Sequence, residues 1–139
     1  MSAAPAGRWR RRAFLITIGL GWVGYGTGIV SDPRYGTARG LGHIVRHVTL
    51  DTLGWGWVAC GLLAVLAGAV AGCPRIEALG FVALATPAAL WGAAFTITWA
   101  GGGFPSAWSS ACAWVAFALG ILWVSGMDET PAEHLRKKV

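Results

Sequence analysis

Charged residues are scarce in this chain of 139 residues. Only 12% of the residues are Asp, Glu, Lys or Arg, about half the share found in an ordinary soluble domain. A small soluble domain needs a charged surface, and the few charges present here lie near the two ends, in loops or at segment ends. This scarcity excludes a soluble enzyme, a disordered chain and a nucleic-acid-binding protein.

Ionisable side chains are also missing from the interior of the long apolar segments. Asp, Lys, Arg and His do not occur inside them, and Glu77 lies at the edge of one. Proton relays, ion-coupled carriers and intramembrane hydrolases place ionisable groups at depth because their chemistry needs them. We therefore expect no catalytic residues and a protein that is not an enzyme.

Cysteine is rare, and no cofactor motif stands in a suitable context. Cys60, Cys73 and Cys112 are an odd number without CxxC spacing, which favours neither a disulfide framework nor a zinc site. The letters GxGxxG at 19–24 lie inside an apolar run, whereas a dinucleotide site needs a preceding strand. We expect no cofactor.

Three potential metal ligands share a spacing of four residues in the segment 31–52. His43, His47 and Asp51 would form one stripe on a continuous helix. Neighbouring arginines oppose a cation, and no fourth ligand is visible. A solvated polar edge is therefore the expected role of these residues, and the metal site is the weaker alternative.

Long apolar segments are what the chain does contain. A bilayer core of about 30 Å needs about 20 helical residues, and four segments satisfy this: 13–30, 53–72, 76–100 and 104–126. They lack the alternation typical of a barrel. The sequence predicts an all-α integral membrane protein, a four-helix antiparallel bundle over 13–126. A basic N-terminus (1–12) and a tail with a short basic helix (127–139) flank this single domain.

The segment 31–52 between the first two spans is amphipathic. From residue 38 to residue 50, Leu41, Ile44, Val45 and Val48 share one helical face, and polar side chains occupy the other. This pattern predicts a short interfacial helix that lies flat on the membrane.

The distribution of Lys and Arg predicts the orientation of the chain. Eight basic residues fall on the side of the N-terminus and three on the other side, which favours both termini in the cytoplasm. The eight residues are Arg8, Arg10, Arg11, Arg12, Arg75, Arg136, Lys137 and Lys138.

Tryptophans cluster near the ends of the predicted spans, where the indole ring prefers the headgroup level. The expected interface anchors are Trp9, Trp55, Trp57, Trp99, Trp108 and Trp123. Trp22, Trp91 and Trp114 lie deeper in their spans, and we expect them to pack between helices.

Small residues recur at helical spacing in every span and predict close helix contacts in lipid. The predicted packing or assembly glycines are Gly21, Gly24, Gly28, Gly54, Gly61, Gly68, Gly92 and Gly120. These stripes serve packing within the chain or association of copies into a homo-oligomer. Pro87 should kink the third span and free a carbonyl near Ala83, and Thr86 is placed to compensate.

The N-terminal region has two interpretations. The run Arg11–Leu15 is similar to a twin-arginine export signal, and 36–38 offers small residues for cleavage. Asp32 and Arg34 oppose this, since an uncharged stretch is expected before the cut. We expect a retained first helix, with removal of residues 1–38 as the alternative.

The overall organisation resembles the small Gly/Trp-rich four-helix membrane proteins of high-GC Gram-positive bacteria and their phages, some of which are holin-like. The resemblance rests on the Arg-rich start, the "SDPR" run at 31–34, Trp55-Gly56-Trp57 and the basic tail. Holins accumulate in the plasma membrane and open lesions that let a lysin through. Four spans depart from the commoner two or three. The resemblance implies that the faces at Gly24/Gly28 and at Gly54, Gly61 and Gly68 are assembly surfaces.

A second function remains open from the sequence. The chain would then be a non-catalytic membrane anchor, accessory subunit or phage exclusion protein that acts through 31–52. The lipid bilayer is the expected partner in both cases, nucleic acid is not, and the residues name no particular membrane-protein partner.

Overall fold

The computed structural model describes residues 8–32, 35–70 and 73–126, and all regular structure in these ranges is helical. The elements are α1 (Arg8–Ser31), α2 (Tyr35–Gly40), α3 (Gly42–Val45), α4 (Leu50–Ala69), α5 (Pro74–Ala100) and α6 (Ala107–Gly126). Of these, α1, α4, α5 and α6 are long and apolar enough to cross a membrane. The predicted all-α fold with four spanning helices is confirmed, and the chain is a multi-pass membrane protein.

The ends of the spans differ from the predicted ones by a few residues, because local capping decides them. The hydroxyl of Thr49 accepts a hydrogen bond from the Thr52 backbone N–H, so α4 starts at residue 50 rather than 53. Pro74 occupies the first turn of α5, where its missing N–H is not needed. The turn after α5 uses Gly102 at a φ of +71°.

The spanning helices pack in the order in which they occur in the chain. Helix α1 packs along α4, α4 packs on α5 and α5 packs on α6. The four helices are arranged so that α6 also lies beside α1. The Trp22 ring of α1 contacts the rings of Trp114 and Phe117 on α6. Close packing between α1 and α6 is absent, so a crevice separates them.

The single interfacial helix predicted over 38–50 is wrong. Two short helices, α2 and α3, meet at a turn at Leu41, whose side chain is fully buried. The hydroxyl of Thr98 on α5 donates to the Gly40 carbonyl over 2.8 Å, and the Phe95 ring leaves no room for a Cβ at Gly40. The segment therefore folds down onto α5, while Val48 stays exposed.

Helix α5 runs through Pro87 without ending. Pro87 has no N–H for the carbonyl of Ala83. The Thr86 hydroxyl donates to Val82 over 2.8 Å and not to Ala83. A second donor to this part of α5 comes from another helix, since the Trp22 indole N–H donates to the Leu84 carbonyl over 3.0 Å.

The predicted helix in the tail, with Arg136, Lys137 and Lys138, lies outside the described residues. The same holds for Pro33 and Arg34 of the segment 31–52.

Candidate functional site

The centre of the bundle is filled by aromatic rings from all four spanning helices. This aromatic cluster consists of Trp22, Tyr25, Trp57, Trp91 and Trp114, with the half-exposed Phe117 at its edge. Neighbouring ring centroids lie 4.8 to 6.1 Å apart, mostly edge to face or tilted, which is the favourable range for aromatic pairs. The cluster joins side chains of all four spanning helices.

Trp57 lies at the middle of this cluster, so its predicted role as a membrane-interface anchor is wrong. It is 1% exposed, whereas Trp55 is 61% exposed. Two residues apart on a helix means about 200° of rotation, so the two indoles point to opposite sides. The Trp57 indole N–H has no hydrogen-bond partner among the described residues, while that of Trp91 donates to the Tyr25 hydroxyl over 3.3 Å.

The other predicted anchors are all exposed. They are Trp9, Trp55, Trp99, Trp108 and Trp123, of which Trp123 is 83% exposed. Trp9 and Trp123 lie near one end of the bundle, and the other three lie near the opposite end. Their contact with lipid headgroups stays a prediction. Trp22 and Trp91 are buried, as the sequence predicts.

Helices α1 and α4 meet through glycines. We call Gly19 and Gly26 of α1, with Gly54, Gly61 and Gly68 of α4, the inner glycine face. A Cβ added at Gly61 would lie 2.5 Å from the carbonyl oxygen of Gly19, and one added at Gly26 would lie 2.5 Å from that of Gly54. Such distances leave no room for a side chain, so the two backbones are in direct contact.

The register of this contact is regular. Gly26 faces Gly54, Gly19 faces Gly61, and the Arg12 backbone faces Gly68. Each step is seven residues along both antiparallel helices, and this spacing returns to the same side of a helix after two turns. The result is a backbone ladder along most of α1.

Three other glycines of α1 point away from this ladder. A Cβ added at Gly21, Gly24 or Gly28 would meet nothing within 4 Å. At 100° per residue these positions lie about 180° from Gly19 and Gly26, and we call them the outer glycine face. The sequence predicted these three as the packing stripe of the first span, but within the chain α1 packs through Gly19 and Gly26. The missed signal is the seven-residue spacing that Gly19 and Gly26 share with the glycines of α4.

The last two predicted packing glycines differ from each other. A Cβ at Gly92 of α5 would lie 3.0 Å from a methyl carbon of Val115 on α6, so Gly92 contributes to the α5–α6 contact. Gly120 of α6 has open space on its Cβ side. It borders the crevice between α6 and α1 rather than a neighbouring helix.

Two arginines at the start of α1 join the ends of the other three spans. Arg12 donates from Nε to the Gly68 carbonyl (2.8 Å) and from Nη2 to the Ala69 carbonyl (2.9 Å). These carbonyls end α4, where the helix offers no N–H partner. Arg11 forms an ion pair with Glu77 at the start of α5 and donates to the Ser125 carbonyl of α6 over 3.1 Å.

Sequence reasoning assigned these arginines to topology alone and missed their role in capping. Arg10 and Arg75 are exposed at this end of the bundle, whereas Arg11 and Arg12 are partly buried. The Arg8 side chain lies outside the described part of the chain. The available signal was Glu77, an acid that starts one span on the same predicted side as the arginines.

The potential metal ligands do not form the predicted stripe. His47 lies in the turn after α3 and Asp51 in the first turn of α4, and both are exposed. Because the helix breaks between them, the spacing of four residues no longer places them on one face. Among the described residues no group of three His, Cys, Asp or Glu side chains comes together. The His43 side chain lies outside these residues.

Comparison with protein-family models, with curated proteins and with solved structures finds no match to this chain. Fold alone does not identify a function, because one fold serves many. The function is therefore inferred from the surfaces and cavities of the chain.

Two cavities open along the crevice between α1 and α6, one with an entirely apolar lining and one with a mixed lining. The one nearer the arginines, which we call the α1–α6 cavity, has a volume of about 510 Å³ and is lined by Phe14, Ile18, Ala113, Ala116, Phe117, Gly120, Ile121 and Val124. The other cavity lies at the opposite end of the bundle, beside the segment 31–52, and has a volume of about 380 Å³. Its polar lining consists of hydroxyl groups from Tyr25, Thr37, Ser106, Ser109 and Ser110.

Proposed function

We propose that this chain is a non-catalytic multi-pass protein of a bacterial plasma membrane, with both termini in the cytoplasm. In this proposal, copies of the chain associate laterally and permeabilise the membrane in the manner of a holin. The outer glycine face of α1 is the observation that carries the proposal. The partners are the lipid bilayer and further copies of the chain.

The outer glycine face is costly unless another helix uses it. Glycine in a helix interior is about 1 kcal/mol less favourable than alanine, and a Cβ at Gly21, Gly24 or Gly28 would meet nothing within 4 Å in the described chain. Lipid-facing surfaces elsewhere carry large side chains, such as the exposed Leu62, Leu63 and Leu66 of α4. Gly24 and Gly28 have the GxxxG spacing that lets a second membrane helix approach closely.

The surface for self-association is narrower than the resemblance implies. Gly54, Gly61 and Gly68 are occupied by α1 of the same chain, so they are not open to another copy. Of the two expected assembly faces, only the one on α1 is exposed. Two copies that meet through the same face form a symmetric contact.

The proposed orientation is supported by the excess of Lys and Arg on the side of the N-terminus. Arg10 and Arg75 are exposed at the end of the bundle where Arg11 and Arg12 cap the helices. The other end carries Arg39 and Arg46 among the described residues.

Induction of the chain in a bacterial host tests the proposal. We expect an abrupt loss of membrane potential at a fixed time after induction, followed with a potential-sensitive dye. The double change Gly24→Leu and Gly28→Leu should delay or abolish this loss because leucines keep the second helix away. Gly56→Leu is the matched control, since Gly56 also faces open space, but on α4. An unchanged potential in the unmodified chain, or equal timing in the Gly24/Gly28 variant, contradicts the proposal.

A second candidate is a membrane anchor or exclusion protein that acts through 31–52. The observation in its favour is that Gly40 and Leu41 fix this segment on α5 while Arg39, Arg46 and His47 stay exposed. Induction should then leave growth and potential unaffected. A membrane protein should co-purify with the chain, and Arg46→Glu should remove it.

A further inference from the structure

The α1–α6 cavity has the chemistry of an acyl-chain site. The side chains that line it are all apolar, and they include Phe14 and Ile18 on α1 and Phe117 on α6. An apolar cavity does not hold water, and the surrounding solvent is lipid. Its lining on α6 runs from Ala113 to Val124, a span of 11 helical rises or about 16 Å at 1.5 Å per residue. This length matches about half of the 30 Å hydrocarbon core, which is one leaflet.

The two ends of the cavity differ. Towards the middle of the membrane, Phe117 of the cavity wall packs against the rings of Trp22 and Trp114, whose centroids lie 5.8 and 5.9 Å from its own. At the other end, Arg11 bridges from α1 to the Ser125 carbonyl, next to Val124 in the cavity wall. The arginine end of the cavity therefore faces one leaflet, from which a chain of methylene groups can enter.

The described residues give this end of the bundle a positive charge. Arg10 is exposed and lies one helical turn before Phe14, so it is on the same side of α1 as the cavity. Glu77 is the described acid nearest the mouth, and its ion pair with Arg11 offsets its charge. Basic residues at the mouth of a pocket between membrane helices favour anionic headgroups.

We propose that the α1–α6 cavity binds one acyl chain of an anionic phospholipid from the leaflet on the arginine side, with its phosphate at Arg10. Lipid binding at this site does not require the proposed permeabilising function, although the two surfaces adjoin, because Gly21 of the outer glycine face lies seven residues after Phe14 and so near the same side of α1.

Native mass spectrometry of the full chain tests the site after purification from nanodiscs of equimolar phosphatidylglycerol and phosphatidylethanolamine. We expect one retained phospholipid per chain, with phosphatidylglycerol preferred about fivefold, the effect of one basic residue near the headgroup. Gly120→Leu should lower retention about tenfold because leucine fills the cavity. A Cβ at Gly120 meets nothing within 4 Å, so the fold tolerates the change. Ala116→Leu gives a second filling variant.

Arg10→Gln should abolish the headgroup preference while acyl-chain binding persists. Gly56→Leu and Arg46→Gln are the matched controls, an exposed glycine on α4 and an exposed arginine at the opposite end of the bundle. Retention that is unchanged in both cavity-filling variants overturns the proposal, as does equal retention of the two lipids by the unmodified chain. A dimer that Gly120→Leu dissociates also overturns it, because the occupant would then be a second copy.

Discussion

Helix α1 carries two glycine faces that differ in what covers them. The inner face lies against α4 with the backbones in contact, and the outer face meets nothing within 4 Å. Residue type and helix are the same on both sides. The difference shows that small residues alone do not decide a helix contact. A helix contact forms where the partner helix has glycines at the same seven-residue spacing, because every glycine then meets the backbone of the other helix.

The largest expected effect is that of a bulky residue on the inner face. Gly61→Leu would place a Cβ 2.5 Å from the Gly19 carbonyl and 2.8 Å from the Val23 nitrogen, and neither backbone atom can rotate away. We expect loss of the α1–α4 contact and a drop in the yield of folded protein in detergent. The cost should exceed the about 1–3 kcal/mol typical of overpacking. Folded yield equal to that of Gly56→Leu would show that the backbone ladder is not required.

A matched pair of Gly→Ala substitutions compares the two faces by adding one methyl group to each, and its effect on stability is expected to be smaller. Gly26→Ala should destabilise the chain by about 1–3 kcal/mol, because the methyl group meets the Gly54 carbonyl. Gly28→Ala should stabilise α1 by up to about 1 kcal/mol through helix propensity. Thermal unfolding in detergent measures both. The same sign for the two variants would remove the distinction between the faces.

A substitution at Arg12 tests the cap at the end of α4, next to the inner glycine face. Arg12→Gln removes the two hydrogen bonds to the last carbonyls of α4, and we expect a loss of about 1–2 kcal/mol. Arg10→Gln is the control, since the Arg10 side chain is exposed. Unfolding in detergent reports the difference. Equal stability of the two variants would mean that solvent satisfies the last carbonyls of α4 as well as the Arg12 guanidinium does.

Leucines on the outer face are expected to change self-association more than stability. Leucines at Gly24 and Gly28 should change the unfolding midpoint by no more than a few degrees, upward, because helix propensity improves. Self-association should fall instead, measured by energy transfer between labelled copies in vesicles. Energy transfer that persists unchanged would place the contact between copies on another surface.

Much of the fold is predictable from the sequence, because hydrophobic length alone identifies four spans. The rotation of each helix about its axis is not, as Trp55 and Trp57 show. Both indoles suit a membrane interface by composition, and only the inward direction of α4 decides that Trp57 is buried. The same limit applies to Gly19 and Gly21, which differ by two positions and lie on opposite sides of α1.

The segment 31–52 shows another limit. Its amphipathic pattern is present, but the hydrogen bond from Thr98 to Gly40 and the close approach of Phe95 are long-range contacts. Nothing local in the pattern indicates them. The capping by Arg11 and Arg12 is long-range in the same sense, because each guanidinium reaches a different helix.

The chain order of the helix contacts has a consequence for biogenesis. Each spanning helix packs chiefly on the one synthesised just before it, from α1 and α4 to α5 and α6. Every newly inserted helix therefore finds its docking site already in the bilayer, and the search over sequence-distant pairings that slows many folds is avoided. Helix α6 arrives last and rests mainly on α5. A nascent chain halted before α6 already contains the complete glycine ladder and the α4–α5 contact.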